Sequence, residues 1–512
     1  MGFSLHLGMG RANFQGMKTV AISSRRLLEL SQVFPCGMLG KKAAVVFRAR
    51  REAHLAHLDM PAVFAGLDRE PGAEHVWSIG NARIFQEPAI MHLTGINQTG
   101  VRLLLDPHAK DSAQRAVLFL PERNPSREFW DGVRLGLLPV SDPGYEDAIA
   151  ELRLLTGFDT ILPLGEFRPT LETLVALRSQ GSVGVHFLSW ADPDGGKPRE
   201  VRTDRNWQFS REVARWLKPW GCGVESVAAL HFRLRLPLDA WRIKEAERAQ
   251  GWTEEAFRSL LPRMGSFASE TQLTAALEGE MLSRSAFGLA FPTICAGGRN
   301  ACTLHYMKND EPLPKDGLVL LDFGCRSSVM HADISRTIPV SGRFDPLQKL
   351  LYGIVLEAMH FNEGNVRPGV TIRELNRLVW QRLEDLLEER FLSKGGTCER
   401  AYVDGVVSAL PSRAKAHPRQ PHGVSHLMGE QEHDGDPFRL YQDIPMEEGW
   451  MLSNEPGLYG HFRIRLEGKI HDQWIGIRIE DDLMVTSSGC RNLSRGIPKR
   501  VDEIEKLMEG RS

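Results

Sequence analysis

Three histidines fall within twelve residues of PHGVSHLMGEQEHDG (421–435), in a chain with 17 histidines among 512 residues. His422 and His426 stand four apart, and His433 follows seven further on. Imidazoles at this density can ligate a divalent ion, donate to a developing oxyanion, or sit as solvated loop residues. The pattern is not the HExxH helix of zinc proteases, because Gly423 stands where that motif has glutamate.

Acidic residues form a second set. Asp322 and Asp333 lie in LVLLDFGCRSSVMHADISRTIPV (318–340), where Lys315–Asp316–Gly317 signals a turn and two strand-like runs flank Ser327–Ser328. If that serine pair is the hairpin loop, Asp322 faces Asp333 with Cβ atoms about 4.5–5.5 Å apart. Opposed like charges among Leu320, Leu321 and Phe323 destabilise a hairpin, and a bound cation is the simplest remedy. A bulge would change this register. Either aspartate alone reads equally well as a cap or a salt-bridge partner. Glu455, in SNEPGLY, precedes Pro456–Gly457 and so ends a strand. Arg478 and Glu480, in IGIRIEDD, share a strand face at period two. Each of these three alone is also an ordinary salt-bridge residue.

In the order LLDFG, HADISRTIPV, HGVSHLMG, NEPGLY, GIRIEDD the chain resembles the metallopeptidase family with the pita-bread fold. That family includes methionine aminopeptidase, prolidase, aminopeptidase P and metal-free creatinase. The resemblance is close from about Leu230 to Met508, and earlier extends only to size and general pattern. It implies that Asp322, Asp333, His426, Glu455 and Glu480 hold two divalent metal ions. Asp333 and Glu480 would bridge them, Asp322 would bind one, and His426 with Glu455 would bind the other. Four carboxylates and one imidazole suit harder ions, so Mn2+ is expected, with Co2+, Zn2+ or Fe2+ as alternatives. A water between two such ions is acidified toward hydroxide, which would attack the scissile carbonyl while Glu455 takes the proton. The resemblance also implies roles around the metals. His305, in RNACTLHY, would shuttle protons or touch substrate, although by itself it reads as a strand histidine. His422 and His433 would hold the substrate carbonyl and the tetrahedral intermediate. Arg478 would orient the bridging carboxylates.

Within the family, GIRIEDDLMVTSSGCRNLS and GGRNACTLHY look more like aminopeptidase P than prolidase. The implied reaction is hydrolysis of the bond between a peptide's first residue and a following proline. Prolidase, acting on dipeptides, stays as the alternative, because the ligands do not separate the two. A large preceding domain disfavours methionine aminopeptidase, and the intact ligand set disfavours creatinase-like enzymes. A reading of another class is an inactive peptide-binding platform on the same fold, whose sign would be lost ligands. Relatives of this kind imply a homodimer or homotetramer.

Such a site needs a scaffold. At 512 residues, 42% hydrophobic and 25% charged, the chain is expected to form two domains of a soluble globular protein. The expected fold is an α/β N-terminal domain (41–230) followed by an α+β catalytic domain of the pita-bread type (231–512). An N-terminal extension (1–40) precedes both. Ala43–Phe47, Val101–Leu105 and Ala116–Leu120 read as strands, and Leu171–Leu177 and Phe209–Leu217 as helical patterns. No phosphate-cradling glycine motif follows those strands, so a structural or specificity role is expected of this domain. A boundary at Leu230–Leu238 precedes an amphipathic stretch from Asp239 to Leu261. Asp345–Pro346 opens a helix through Leu350, Ile354 and Met359. Thr371 and Glu374 form a capping box ahead of the stripe Leu375, Leu378, Val379, Leu383 and Leu386.

Lys plus Arg number 63 and Asp plus Glu 65, which gives no electrostatic case for nucleic acid or membrane partners. The longest apolar runs, such as Leu318–Leu321, are strand-sized. Seven scattered cysteines without a CxxC pair argue for a reducing, cytoplasmic setting and against a disulfide scaffold or thiolate zinc site. The first 28 residues lack Asp and Glu but hold Arg11, Lys18, Arg25 and Arg26. That composition fits an organelle transit peptide, or an upstream start with Met17 as the true one.

Overall fold

The computed structural model describes residues 26, 29–34, 41–68, 86–178, 181–192, 195–285, 287–401 and 420–510. The targeting and start-site expectations for the first 28 residues thus lie outside the described residues, Arg26 apart. The chain divides into two compact units between Arg235 and Leu236. No helix among the described residues is long and apolar enough to cross a membrane.

The first unit is built on a six-stranded mixed sheet. Its strands run in the order Thr160–Pro163, Ala116–Leu120, Arg102–Leu105, Ala62–Ala65, Ser182–Val185, Gly223–Ser226. Successive side chains of a strand point to opposite faces, so a sheet covered on both sides carries two cores. Ala62, Phe64, Leu103, Leu105, Leu118 and Leu120 enter one core. Val63, Ala65, Leu104, Val117 and Phe119 enter the other. Ala43–Phe47, expected as a strand, lies instead in the helix Lys41–His57. Buried Phe47, Arg50, Arg51 and His54 recur at helical spacing, and that period outweighs the strand preference of the Val45–Val46 pair, whose Val45 is exposed.

Four histidines from four segments meet in this unit: His54, His92, His186 and His231, all fully buried. His54 Nε2 lies 3.1 Å from His231 Nδ1. The His231 ring is 4.9 Å from that of His186 and 5.4 Å from that of His92. Burial, helped by the neighbouring positive charge, pushes His54 down to about 4 and His186 down to about 3. It also holds His231 well below its ordinary value. The unfolded chain takes up these protons near pH 6.5, the folded chain only near 4 or lower, so stability falls as pH drops through that window. We expect the thermal transition of this unit to decline between pH 6.5 and 4, and a His231→Phe variant to decline less. Identical pH slopes by calorimetry would clear the cluster of responsibility.

In the second unit, the strands Ile334–Pro339, Leu318–Phe323 and Ile294–Gly297 form one sheet. Leu427–Met428, Met451–Asn454, Asp481–Val485 and Cys490–Asn492 form a second. Thr397–Arg400, Gly457–Leu466 and Lys469–Arg478 form a third. The helices Ala240–Leu260, Glu270–Arg284, Pro346–Asn365 and Ile372–Arg390 contribute to the unit's main core, as Leu260, Leu277, Leu351 and Leu383 show. Asp345 caps Pro346–Asn365 in a capping box with Gln348, and Thr371 accepts from the Glu374 amide at the start of Ile372–Arg390.

The aspartate hairpin differs in register from the expectation. Asp322 pairs with Ser335, not Asp333. Ser327 pairs with Met330, so the turn lies at Ser328–Val329, with Ser328 at φ 55. Moving a loop by one residue moves each partner by two, and a period of two leaves the same residues on the same face. Gly324 makes the hairpin possible: a Cβ there would lie 1.8 Å from the Ala332 carbonyl oxygen.

Candidate metal centre

The loop and strand ends of these sheets converge on one site. Asn454 pairs with Asp481, which sets the strand-ending Glu455 and Glu480 beside one another. The Glu455 amide donates to Val424 O, and the Ser453 amide to His426 O, which holds the histidine segment on the same edge. The Glu480 amide donates to Ser335 O and joins the aspartate hairpin to them. Glu480 lies in the break between Lys469–Arg478 and Asp481–Val485, so it does not share a continuous strand with Arg478 as expected.

Asp333, His426 and Glu480 each offer a ligand atom, all within 4.8 Å of one another. His426 Nε2 lies 3.6 Å from Asp333 Oδ2 and 3.5 Å from Glu455 Oε1. Asp322 is buried beside them; one of its oxygens meets Arg478 and the other, Oδ1, has no hydrogen-bond partner. Burial pushes the Asp333 and Glu480 carboxyls well above the carboxylate range, reinforced at Asp333 by Glu480 and Asp322 and at Glu480 by Glu455 and Asp322. Burial lifts Glu455 to about 8, with Arg478 opposing and Asp322 adding. His426 Nδ1 donates to Leu427 O at 3.1 Å, so Nε2 carries its lone pair toward carboxylate oxygens. Burial holds the ring down to about 3, which keeps that nitrogen unprotonated. A lone pair facing several carboxylates is repulsive unless a cation lies among them. This donor set, with its orphaned aspartate oxygen, fits divalent metal.

Arg478 braces the acids. Its Nη2 donates to Asp322 Oδ2 at 2.5 Å and its Nε to Ser335 Oγ at 2.7 Å. Ser335 Oγ in turn donates to Glu480 Oε2 at 2.8 Å. Burial alone would depress the guanidinium, but Asp322 and its acidic neighbours more than offset this and raise it. Lysine cannot make both directed contacts, so Arg478→Lys is expected to lower metal affinity or turnover by about 10–100-fold. Metal titration of the variant checks this, and wild-type affinity with wild-type turnover would contradict it.

Several supporting residues carried no distinct sequence signal. Asp482 accepts the Asp333 amide at 3.0 Å and the Gln250 side chain. Arg336, with no solvent exposure, donates to Glu480 O at 2.5 Å and Asp481 Oδ1 at 2.6 Å. Ser453 Oγ accepts the His426 amide at 3.0 Å and donates to Glu455 Oε1 at 3.3 Å. Burial and Asp322 push Glu432, beside His433, up to about 7.

The other histidines surround this core differently. His422 Nδ1 donates to Gly423 O at 2.7 Å and lies 3.6 Å from Glu455 Oε2. Its Nε2 then accepts the Tyr459 hydroxyl at 3.0 Å, which leaves His422 no spare N–H in this arrangement. His433 packs edge-on against His426, ring centroids 4.4 Å apart, with about half its side chain exposed. His305 is exposed in a turn after the 3-10 helix Gly298–Cys302, not on a strand as its isolated reading had it. It is near enough for its charge to bear on both His422 and His433.

Residues 244–487 match metallopeptidase family M24, and residues 38–181 match the aminopeptidase P N-terminal domain. Xaa-Pro aminopeptidase 3 of Mus musculus is 32% identical over 431 residues, covering 82% of this chain and 76% of that one. The chain belongs to the aminopeptidase P family. Another relative of that family, Xaa-Pro aminopeptidase 2 of Streptomyces coelicolor, is 29% identical over 428 residues, covering 82% of each chain. Among solved structures, aminopeptidase P of Pseudomonas aeruginosa is similar with a TM-score of 0.68 at 28% identity, over 91% of this chain and 98% of that one. Zinc-substituted Escherichia coli aminopeptidase P, in complex with product, gives 0.67 at 25% identity, with 91% and 98% covered. The two units therefore carry the aminopeptidase P N-terminal fold and the pita-bread fold of the M24 catalytic domain.

Proposed function

We propose that this aminopeptidase P homologue hydrolyses the bond between a peptide's first residue and a following proline, using two divalent ions. The observation that carries the reading is the convergence of Asp333, His426 and Glu480, with Glu455 and Asp322 alongside, in a chain so similar to Xaa-Pro aminopeptidase 3. Asp333 and Glu480 would bridge the ions, Asp322 would hold one, and His426 with Glu455 the other. The oxygen-rich set favours Mn2+. When bound, such ions acidify a water molecule and polarise the substrate carbonyl.

The chain's own groups supply the rest. Glu455, steadied by the Ser453 hydroxyl, takes up the proton released on attack. His433, whose ring is partly open to solvent, donates to the carbonyl oxygen as negative charge develops there. His422, engaged with Gly423 and Tyr459, contributes to the same pocket once substrate displaces one of those partners. His305 completes the polar wall and passes protons to and from solvent. Arg478 keeps Asp322 and Glu480 oriented. A cytoplasmic setting, peptide substrates and a homodimer or homotetramer belong to the same reading.

Prolidase is the second reading, since the same ligands serve both enzymes. Incubation of the Mn2+-loaded chain with Ala-Pro and with Ala-Pro-Ala separates them. Release of Ala from the tripeptide is expected. Cleavage of the dipeptide alone would make the chain a dipeptidase.

A further inference from the structure

Glu270 opens the helix Glu270–Arg284 and has no solvent exposure, yet its carboxylate bonds to residues outside the metal centre. A buried carboxylate persists where hydrogen bonds fill its lone pairs, and a carboxylate has about four such positions. Oε1 accepts the Gly297 amide at 2.7 Å and the Asn300 side-chain amide at 2.9 Å. Oε2 accepts the Tyr306 hydroxyl at 3.0 Å and the Glu311 amide at 3.0 Å. All four donors belong to one segment, residues 297–311, and that segment carries His305 in its exposed turn.

The same segment is pinned at its far end by Asn309, in the left-handed region at φ 50. Asn309 accepts the Cys295 amide at 2.8 Å, donates to Thr293 O at 2.7 Å, and offers its own carbonyl to the Thr271 hydroxyl at 2.8 Å. His305 makes no hydrogen bond of its own among the described residues, so its place depends on how its neighbours are held. We infer that Glu270 is a positioning residue, which fixes the turn that carries His305. The inference rests on the reading that His305 serves the peptidase reaction.

Glu270→Gln keeps the shape but turns an amide NH2 toward two donors, so the turn loses half its anchor. Turnover of Ala-Pro-Ala by the full Mn2+-loaded chain is measured for Glu270→Gln, His305→Ala and the double variant, with metal content alongside. Glu270→Gln is expected to lower kcat about tenfold or more with KM and metal content little changed, the scale of a lost outer partner. The loss should vanish in the His305→Ala background. Tyr306→Phe removes a single donor and leaves the carboxylate in place. It should show a smaller loss that likewise disappears without His305, and it decides the matter if Glu270→Gln does not fold. An equal loss in both backgrounds, or loss of metal, overturns the inference while leaving the peptidase reading intact. A wild-type rate in His305→Ala overturns its premise. Failure of the unmodified chain to cleave Ala-Pro-Ala overturns the functional reading and this inference together.

Discussion

Asp333→Ala is expected to abolish hydrolysis of Xaa-Pro-Xaa peptides, by on the order of a thousandfold or more, while the chain stays folded. Outer partners of metal ligands cost about 10–100-fold, and a residue placed between two ions must cost more. Asp333 is almost fully buried, within ligand reach of both His426 and Glu480, and has the Asp482 carboxylate on its amide. In the metal-free protein burial, with the charges of Glu480 and Asp322, makes ionised Asp333 costly, as its strongly raised carboxyl indicates. Removing this buried carboxyl takes away that cost, and the metal-free variant should melt no lower than the metal-free parent. The stabilisation that added Mn2+ gives the parent should be largely lost. Wild-type turnover in Asp333→Ala would contradict the bridging assignment.

His433→Ala is the second large effect. The ring stacks edge-on against His426, but its Nε2 lies 3.7 Å from Glu432 and it stands apart from the group that could hold metal. Its expected work is donation to the oxygen that becomes negative during attack, which matters more in the transition state than in the bound substrate. The loss should therefore fall on kcat, roughly a hundredfold or more, with metal content unchanged. An unchanged rate would show that the histidine is only a neighbour.

The order of acids and histidines leads to these residues through its resemblance to the metallopeptidase family, and Asp322 and Glu455 also lie close to strand-end signals. Pro456 follows Glu455, and Gly324 follows Phe323, so the strands carrying the acids have legible ends. The register of the hairpin was less legible. Its turn at Ser328–Val329 has no glycine or asparagine to mark it, although Ser328 takes a left-handed conformation. Pairing of Asp322 with Ser335 still keeps both aspartates at the site, so a wrong register led to the right neighbourhood.

Residues that brace the site were hidden for a different reason. Ser335–Arg336 and Asp481–Asp482 are adjacent polar pairs, which a strand sends to opposite faces, so no periodic pattern marks them as buried. Both faces of those strands are buried, and the polar side chains satisfy one another across sheets, which only tertiary structure reveals. The four-histidine cluster of the first unit is equally invisible, since its members come from widely separated segments. In Lys41–His57 two adjacent valines suggested a strand, while the deciding helical period was set by buried arginines and a histidine.

On the proposed reading, bound metal and the five acidic and imidazole ligands together cleave the bond before proline, and the dependence on metal is absolute. This is tested most directly by titrating the metal-free full chain with Mn2+ while following the products from Ala-Pro-Ala. No cleavage is expected without metal, then Ala and Pro-Ala in equal amounts, with activity saturating as two ions bind per chain. Cleavage that persists under a chelator, or two bound ions with no release of Ala, would contradict it.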